Sequence, residues 1–101
     1  MIYIFWSCSN QTEAKSIIHT LLEKRLIACA SILPEVTSIY RWKDKIEEAK
    51  EVKVILKTQG PHFDAICHTI QTLCSYEVPE IVQIDVARGN LPYLDWISHS
   101  V

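Results

Sequence analysis

Apolar residues along this chain recur at two different periods, and the change of period marks the elements. Ile2 to Trp6 is dense in β-branched and aromatic residues, which predicts a strand. Ala14, Ile17, Ile18, Leu21 and Leu22 then recur at helical spacing, so a helix with one buried face is expected. Asn10-Gln-Thr-Glu13 precedes it with the spacing of a capping box, in which the Asn side chain accepts a first-turn amide and Glu13 reaches back. Lys24 and Arg25 stand at its end, where cations suit the helix dipole. Leu26 to Leu33 is almost wholly apolar and predicts a buried strand. Pro34 cannot donate to a ladder and marks a bulge or an edge position. Strand character resumes from Val36 to Trp42, so the chain stays extended over roughly 15 residues.

The stretch Ser38 to Thr58 predicts a long β-hairpin, turning at Lys43-Asp44-Lys45 and returning through Val52 to Lys57. Gly60-Pro61 ends it, and Pro61 suits the first position of a helix. Phe63, Ile66, Cys67, Ile70, Leu73 and Cys74 form the next helical stripe. Ser75 to Glu80 is a connection, Ile81 to Val86 a strand, Gly89-Asn90 a turn, and Pro92 to Ser100 a short helix carrying Leu94, Trp96 and Ile97. The order β-α-β-β-α-β followed by a helix predicts an α+β, ferredoxin-like domain across residues 1–101, with an extra C-terminal helix.

Composition narrows the class. Hydrophobic residues make up 49% and charged residues 22%, ordinary for a soluble globular domain. A formal net charge of −2 argues against nucleic acid as a partner. No apolar run approaches the roughly 18 residues of a membrane span, so no membrane association is expected. Met1 to Trp6 has neither the basic start nor the cleavage site of a signal peptide, and is read as the first strand of a cytoplasmic protein. Cys8, Cys29, Cys67 and Cys74 show no C-x-x-C spacing and are expected to be thiols.

The hairpin is too long for its helices. A first helix of about 16 residues spans about 24 Å, whereas a strand of about 15 residues spans about 50 Å. The overhang carries Val36, Ile39, Tyr40, Trp42 and Ile46, and its edges present unpaired amides. Association with further copies would cover it; a shorter hairpin with a loose tip is the other reading.

Six blocks, in order, resemble one family. They are Arg25-Leu-Ile-Ala-Cys-Ala30, Thr37-Ser-Ile-Tyr-Arg-Trp42, Lys45-Ile-Glu-Glu48, Val54-Ile-Leu-Lys-Thr58, Tyr76-Glu-Val-Pro-Glu80 and Tyr93-Leu-Asp-Trp96. Together they resemble the CutA divalent-cation-tolerance family over essentially the whole chain. The resemblance implies a PII-like homotrimer, joined through long β-hairpin arms, that binds copper or another divalent cation and serves the response to metal ion. No established reaction comes with it. The chain departs from the family at Asp44, where relatives often carry Gly, and at Ser9-Asn10, where a Pro-Asp-like pair is usual.

Two candidate sites follow. Among the cysteines and His19, His62, His68 and His99, Cys29 matches the family's cysteine and is the metal candidate; the other reading makes Cys29, Cys67 and Cys74 small core residues. The second candidate is an inter-subunit cleft in which Lys57, Tyr76, Glu77 and Glu80, with Trp42 and Tyr40, hold a small anion or a metal-bound ligand. The same residues could instead make an interface ion pair. No nucleophile has a base beside it in sequence, so no enzyme is expected. A PII-like sensor of small anions is the alternative function. An acylphosphatase lacks its phosphate-cradling loop at Cys8 to Thr12, and an RNA-recognition module lacks its stacking aromatics and basic surface.

Overall fold

The computed structural model describes residues 1–101, built from β1 (Ile2–Cys8), α1 (Gln11–Glu23), β2 (Cys29–Trp42), β3 (Lys45–Thr58), α2 (Phe63–Leu73), β4 (Ile81–Asp85) and α3 (Leu91–Ser100), with a 3₁₀ turn at Gly60–His62. The four strands form one antiparallel sheet in the order β2-β3-β1-β4. That is the ferredoxin-like arrangement expected from the element order.

Strand alternation decides which side of the sheet is covered. Ile2, Ile4, Trp6 and Cys8 on β1 and Val52, Val54 and Leu56 on β3 point to one face and are buried. Ala14, Ile17, Ile18 and Leu21 of α1 and Ile66 and Ile70 of α2 pack on them as one core. The opposite face carries Tyr3, Phe5 and Ile55, half-buried, and Leu33, Val82 and Ile84, which are 40%, 45% and 47% exposed. Only α3 reaches that face. Its Tyr93 hydroxyl lies 3.6 Å from Cys29 Sγ, and Cys29 pairs with Lys57, which pairs in turn with Tyr3.

The ends of the elements differ in detail from the sequence expectation. Asn10 does cap α1, accepting from the Glu13 amide at 2.8 Å. The Glu13 side chain does not complete a capping box; it turns instead toward Ser9, Cys8 and Ser75. α1 is only 13 residues long. It ends in a Schellman turn: Arg25 sits at φ 57°, its amide donates to Leu22 and the Leu26 amide donates to Leu21. Consequently β2 begins at Cys29, not at Leu26, and Leu26 packs against the core as the apolar residue that follows such a turn. Cys74 lies just beyond α2 in extended backbone, so it does not share a helix with Cys67.

β2 and β3 each run 14 residues, about 46 Å, against about 20 Å for α1. The long axis of the molecule, 45 Å, is the arm they form. Leu33 pairs with Lys53 and Val36 with Glu51, so Pro34 and Glu35 bulge out of an edge strand. At the tip Lys43 and Asp44 have φ of 50° and 64°, a two-residue turn of the I′ kind that matches strand twist. A lysine has no special tolerance for that region. Replacing Lys43→Asn together with Asp44→Gly should therefore raise stability by on the order of 1 kcal/mol. The midpoint of denaturant unfolding reads this, and an unchanged or lower midpoint would contradict strain in the turn.

Candidate functional site

The antiparallel pairing of β1 with β4 determines where the polar residues gather. Trp6 pairs with Ile81, so the connection 74–80 runs beside the end of β1 and the start of α1. Two clusters form there, one on each side of the sheet.

The first opens on the uncovered face and runs along the arm, from Ser7 and Glu80 at its root to Trp42 beside its tip. It is a cleft of about 550 Å³ lined chiefly by Tyr40, Trp42, Glu51, Tyr76, Glu77 and Glu80. The Tyr76 hydroxyl donates to Glu51 Oε2 at 2.9 Å. Ser7 Oγ donates to Glu80 Oε1 at 2.8 Å, and Lys53 forms an ion pair with the same carboxylate. Burial pulls the Glu80 carboxyl up, but the bonds from Lys53 and Ser7 outweigh it and hold the group below the usual carboxylate range. Burial, then the Glu51 carboxylate, pushes the Tyr76 phenol well above its usual value.

Of the residues singled out in the sequence, Tyr40, Trp42, Tyr76, Glu77 and Glu80 line this cleft and Lys57 does not. Lys57 lies four positions beyond Lys53 on the same strand face, about 13 Å away. Its ammonium donates to Ser31 Oγ at 3.1 Å and stands 5.8 Å from the centre of the Tyr3 ring. Glu51 joins the lining, and the lysine nearest to it is Lys53, which does not line the cleft but pairs with Glu80 at its edge. Period two from Lys57 places Lys53 and Glu51 on the same face; their nearness to Tyr76 and Glu80 needs the β1–β4 register. Glu51, Glu77 and Glu80 are the charged residues of the lining, so even with Lys53 paired to Glu80 the cleft has an excess of negative charge.

The second cluster lies on the helix side. Cys8, the last residue of β1, is fully buried, and its thiol donates to Glu13 Oε2 at 3.3 Å. Burial and the Glu13 carboxylate push this thiol up to about 12, against a backbone bond from Asn10. Glu13 is held from several directions: Ser9 Oγ at 2.7 Å, Ser75 N at 2.6 Å and Ser75 Oγ at 3.0 Å all donate to it. Burial raises its carboxyl, yet these bonds together leave it below the usual range. Cys8, Glu13 and Cys74 present donor atoms that all fall within 4.8 Å of one another. Cys29 stands apart from this group, beside Tyr93. All four cysteines are free thiols; Cys29, Cys67 and Cys74 are half-buried rather than full core residues.

The comparisons with known proteins decide the family. The profile described as CutA1 divalent ion tolerance protein matches residues 2–100. The chain belongs to the CutA1 divalent ion tolerance family. The divalent-cation tolerance protein CutA of Pyrococcus horikoshii is 41% identical over 97 residues, covering 96% of this chain and 94% of that protein. Human protein CutA is 43% identical over 93 residues, covering 92% of this chain and 52% of its own length. The chain thus spans about half the length of the mammalian relatives it matches. The crystal structure of CutA1 from Pyrococcus horikoshii superposes with a TM-score of 0.92 at 38% identity, covering 99% of this chain and 97% of that one. The periplasmic divalent cation tolerance protein CutA of Archaeoglobus fulgidus superposes with a TM-score of 0.95 at 35% identity, covering 99% and 98%. These family names describe tolerance of cations and no reaction. They also include a periplasmic and a chloroplastic protein, so membership does not imply the cytoplasm. No helix of this chain is long and apolar enough to cross a membrane.

The two lowered carboxyls set an acid limit. A carboxyl depressed on folding contributes fully above its unfolded value, here 4.5, and loses that contribution as the pH falls through its folded value. Denaturant midpoints should therefore decline below pH 4.5. Replacing Glu13→Gln and Glu80→Gln together should lower the neutral midpoint and flatten that decline. A double variant with the wild-type acid slope would contradict the assignment.

Proposed function

We propose that the protein is a homotrimeric metal-binding member of its family, taking up copper or another divalent cation in the response to metal ion, with residues 1–101 as one domain. The observation that carries this reading is the cleft along the open face of the arm. Glu51, Glu77 and Glu80 line it together with Tyr40, Trp42 and Tyr76, and Lys53 pairs with Glu80 at its edge. Carboxylate oxygens suit hard divalent cations, and Cu(II) also accepts oxygen donors. A small anion would meet an excess of like charge, so nothing favours the anion-sensor alternative.

The arm supports the homotrimer. Ile39 and Ile46 are 65% and 71% exposed, and the open sheet face adds Leu33, Val82 and Ile84. Burying each such side chain is worth roughly 1.5–3 kcal/mol, an ample drive for subunits to join arm to sheet. The cleft lies between these two surfaces, so it would be completed by a neighbouring copy. Lys57, on the same open face, would then bind across the subunit contact rather than within the cleft, with Cys29 beside it.

Light scattering should give three times the chain mass of 11.6 kDa, and Ile39→Asp with Ile46→Asp should reduce it to one. A wild-type monomer at micromolar concentration would refute the assembly. Calorimetric titration with Mn(II), an oxygen-preferring probe, and with Cu(II) should show binding that weakens at least about tenfold in Glu51→Gln with Glu77→Gln, a loss of about 1.4 kcal/mol. Equal binding by the glutamate variants would remove the cleft from the proposal.

A further inference from the structure

The geometry assigns a second cation site of different chemistry, formed by Cys8 Sγ, Cys74 Sγ and a Glu13 carboxylate oxygen, and suited to a thiophilic divalent ion such as Zn(II) or Cd(II). It lies on the helix side of the sheet, separate from the carboxylate cleft. It does not rest on the reading of that cleft or on assembly, because one chain supplies all of its ligands.

Several observations converge. Zinc is held by thiolate at about 2.3 Å and carboxylate at about 2.0–2.2 Å in tetrahedral geometry, so neighbouring donors stand about 3.6–3.8 Å apart. Cys8 Sγ and Glu13 Oε2 are 3.3 Å apart, and all three donor atoms fit within 4.8 Å. The three residues come from the end of β1, the first turn of α1 and the residue after α2, so the fold itself holds them together. Zinc sites also need outer partners that orient the ligands. Here Ser9 Oγ, Ser75 N and Ser75 Oγ fix the Glu13 carboxylate. A groove of about 520 Å³ reaches Glu13 past Ser9, Thr12 and Ser75; neither cysteine lines it, so it gives an approach from solvent to the carboxylate ligand alone. The other cysteines lack this setting: Cys29 meets the Tyr93 hydroxyl, and neither it nor Cys67 belongs to a group of converging ligand atoms.

Binding is an acid–base exchange without redox change. Each thiol gives up its proton to solvent and donates a sulfur electron pair to the ion, and the ionised carboxylate donates an oxygen pair. The Cys8 thiol bond to Glu13 is replaced by metal bonds to both groups.

The test uses the full chain, reduced and metal-free, titrated with Cd(II) and with Zn(II). Cd(II) should produce the ultraviolet thiolate-to-metal charge-transfer band, saturating at one ion per chain. Zn(II) should protect Cys74 from alkylation, read by peptide mass spectrometry, while Cys29 and Cys67 keep their metal-free rates; Cys8 is fully buried and is not read this way. Cys74→Ser should abolish the band and Cys29→Ser should leave it intact. Because Cys8 is a core residue, Cys8→Ser is checked by circular dichroism, and Cys74→Ser with the alkylation map carries the test if that variant fails to fold. Ser75→Ala should weaken Zn(II) about tenfold. Absence of the band, its survival in Cys74→Ser, or protection of Cys29 or Cys67 in place of Cys74 would overturn the site. Glu51→Gln with Glu77→Gln should leave the band unchanged, so failure of the carboxylate cleft and failure of the thiol site are read separately.

Discussion

An α-helix advances 1.5 Å per residue and a β-strand about 3.3 Å, and most of what is distinctive here depends on that mismatch. A helix of 13 residues and strands of 14 residues cannot cover each other. The helices therefore cover the root of the sheet and leave the arm bare. The bulge at Pro34 and Glu35 lies where the covered part gives way to the arm. Apolar side chains beyond it, Ile39 and Ile46 above all, have no partner within the chain.

The end of β1 is the second organising point. Successive strand residues point to opposite faces, so Ser7 and Cys8 address different chemistry. Ser7 donates to Glu80 in the oxygen-lined cleft on the open face, while Cys8 donates to Glu13 under the helices. The connection after α2 repeats the split: Ser75 binds Glu13, and Tyr76 binds Glu51. One crossing of backbone thus anchors both polar clusters. It also explains why two carboxyls far apart in sequence, Glu13 and Glu80, are each held ionised by bonds that folding creates.

Much of the fold was legible because the relevant forces are local. Period 3.6 in Ala14 to Leu22 and period two in Val52 to Leu56 report which faces are buried, and both agree with the core. Pro34 marked the bulge because a missing amide has few places in a ladder. Element ends were less legible. Arg25 adopts a left-handed conformation that glycine usually supplies, so the start of β2 was read early. Glu13 has the position of a capping-box residue, but stronger donors from Ser9 and Ser75 claim its carboxylate.

By itself the sequence determined the element order, the buried faces, the excess length of the hairpin and the family, since each follows from residue type and short-range spacing. Tertiary structure alone decided which polar groups meet. Tyr40, Trp42, Tyr76, Glu77 and Glu80 were recognisable as a set, but Lys57 was grouped with them in a cleft between subunits. Within one chain, the β1–β4 pairing sets Lys53 against Glu80, and Lys57 lies beside Ser31 and Tyr3. Cys8 and Cys74 are separated by most of the chain. Their approach depends on antiparallel strands that return α2 to the place where α1 began, a contact no local pattern encodes.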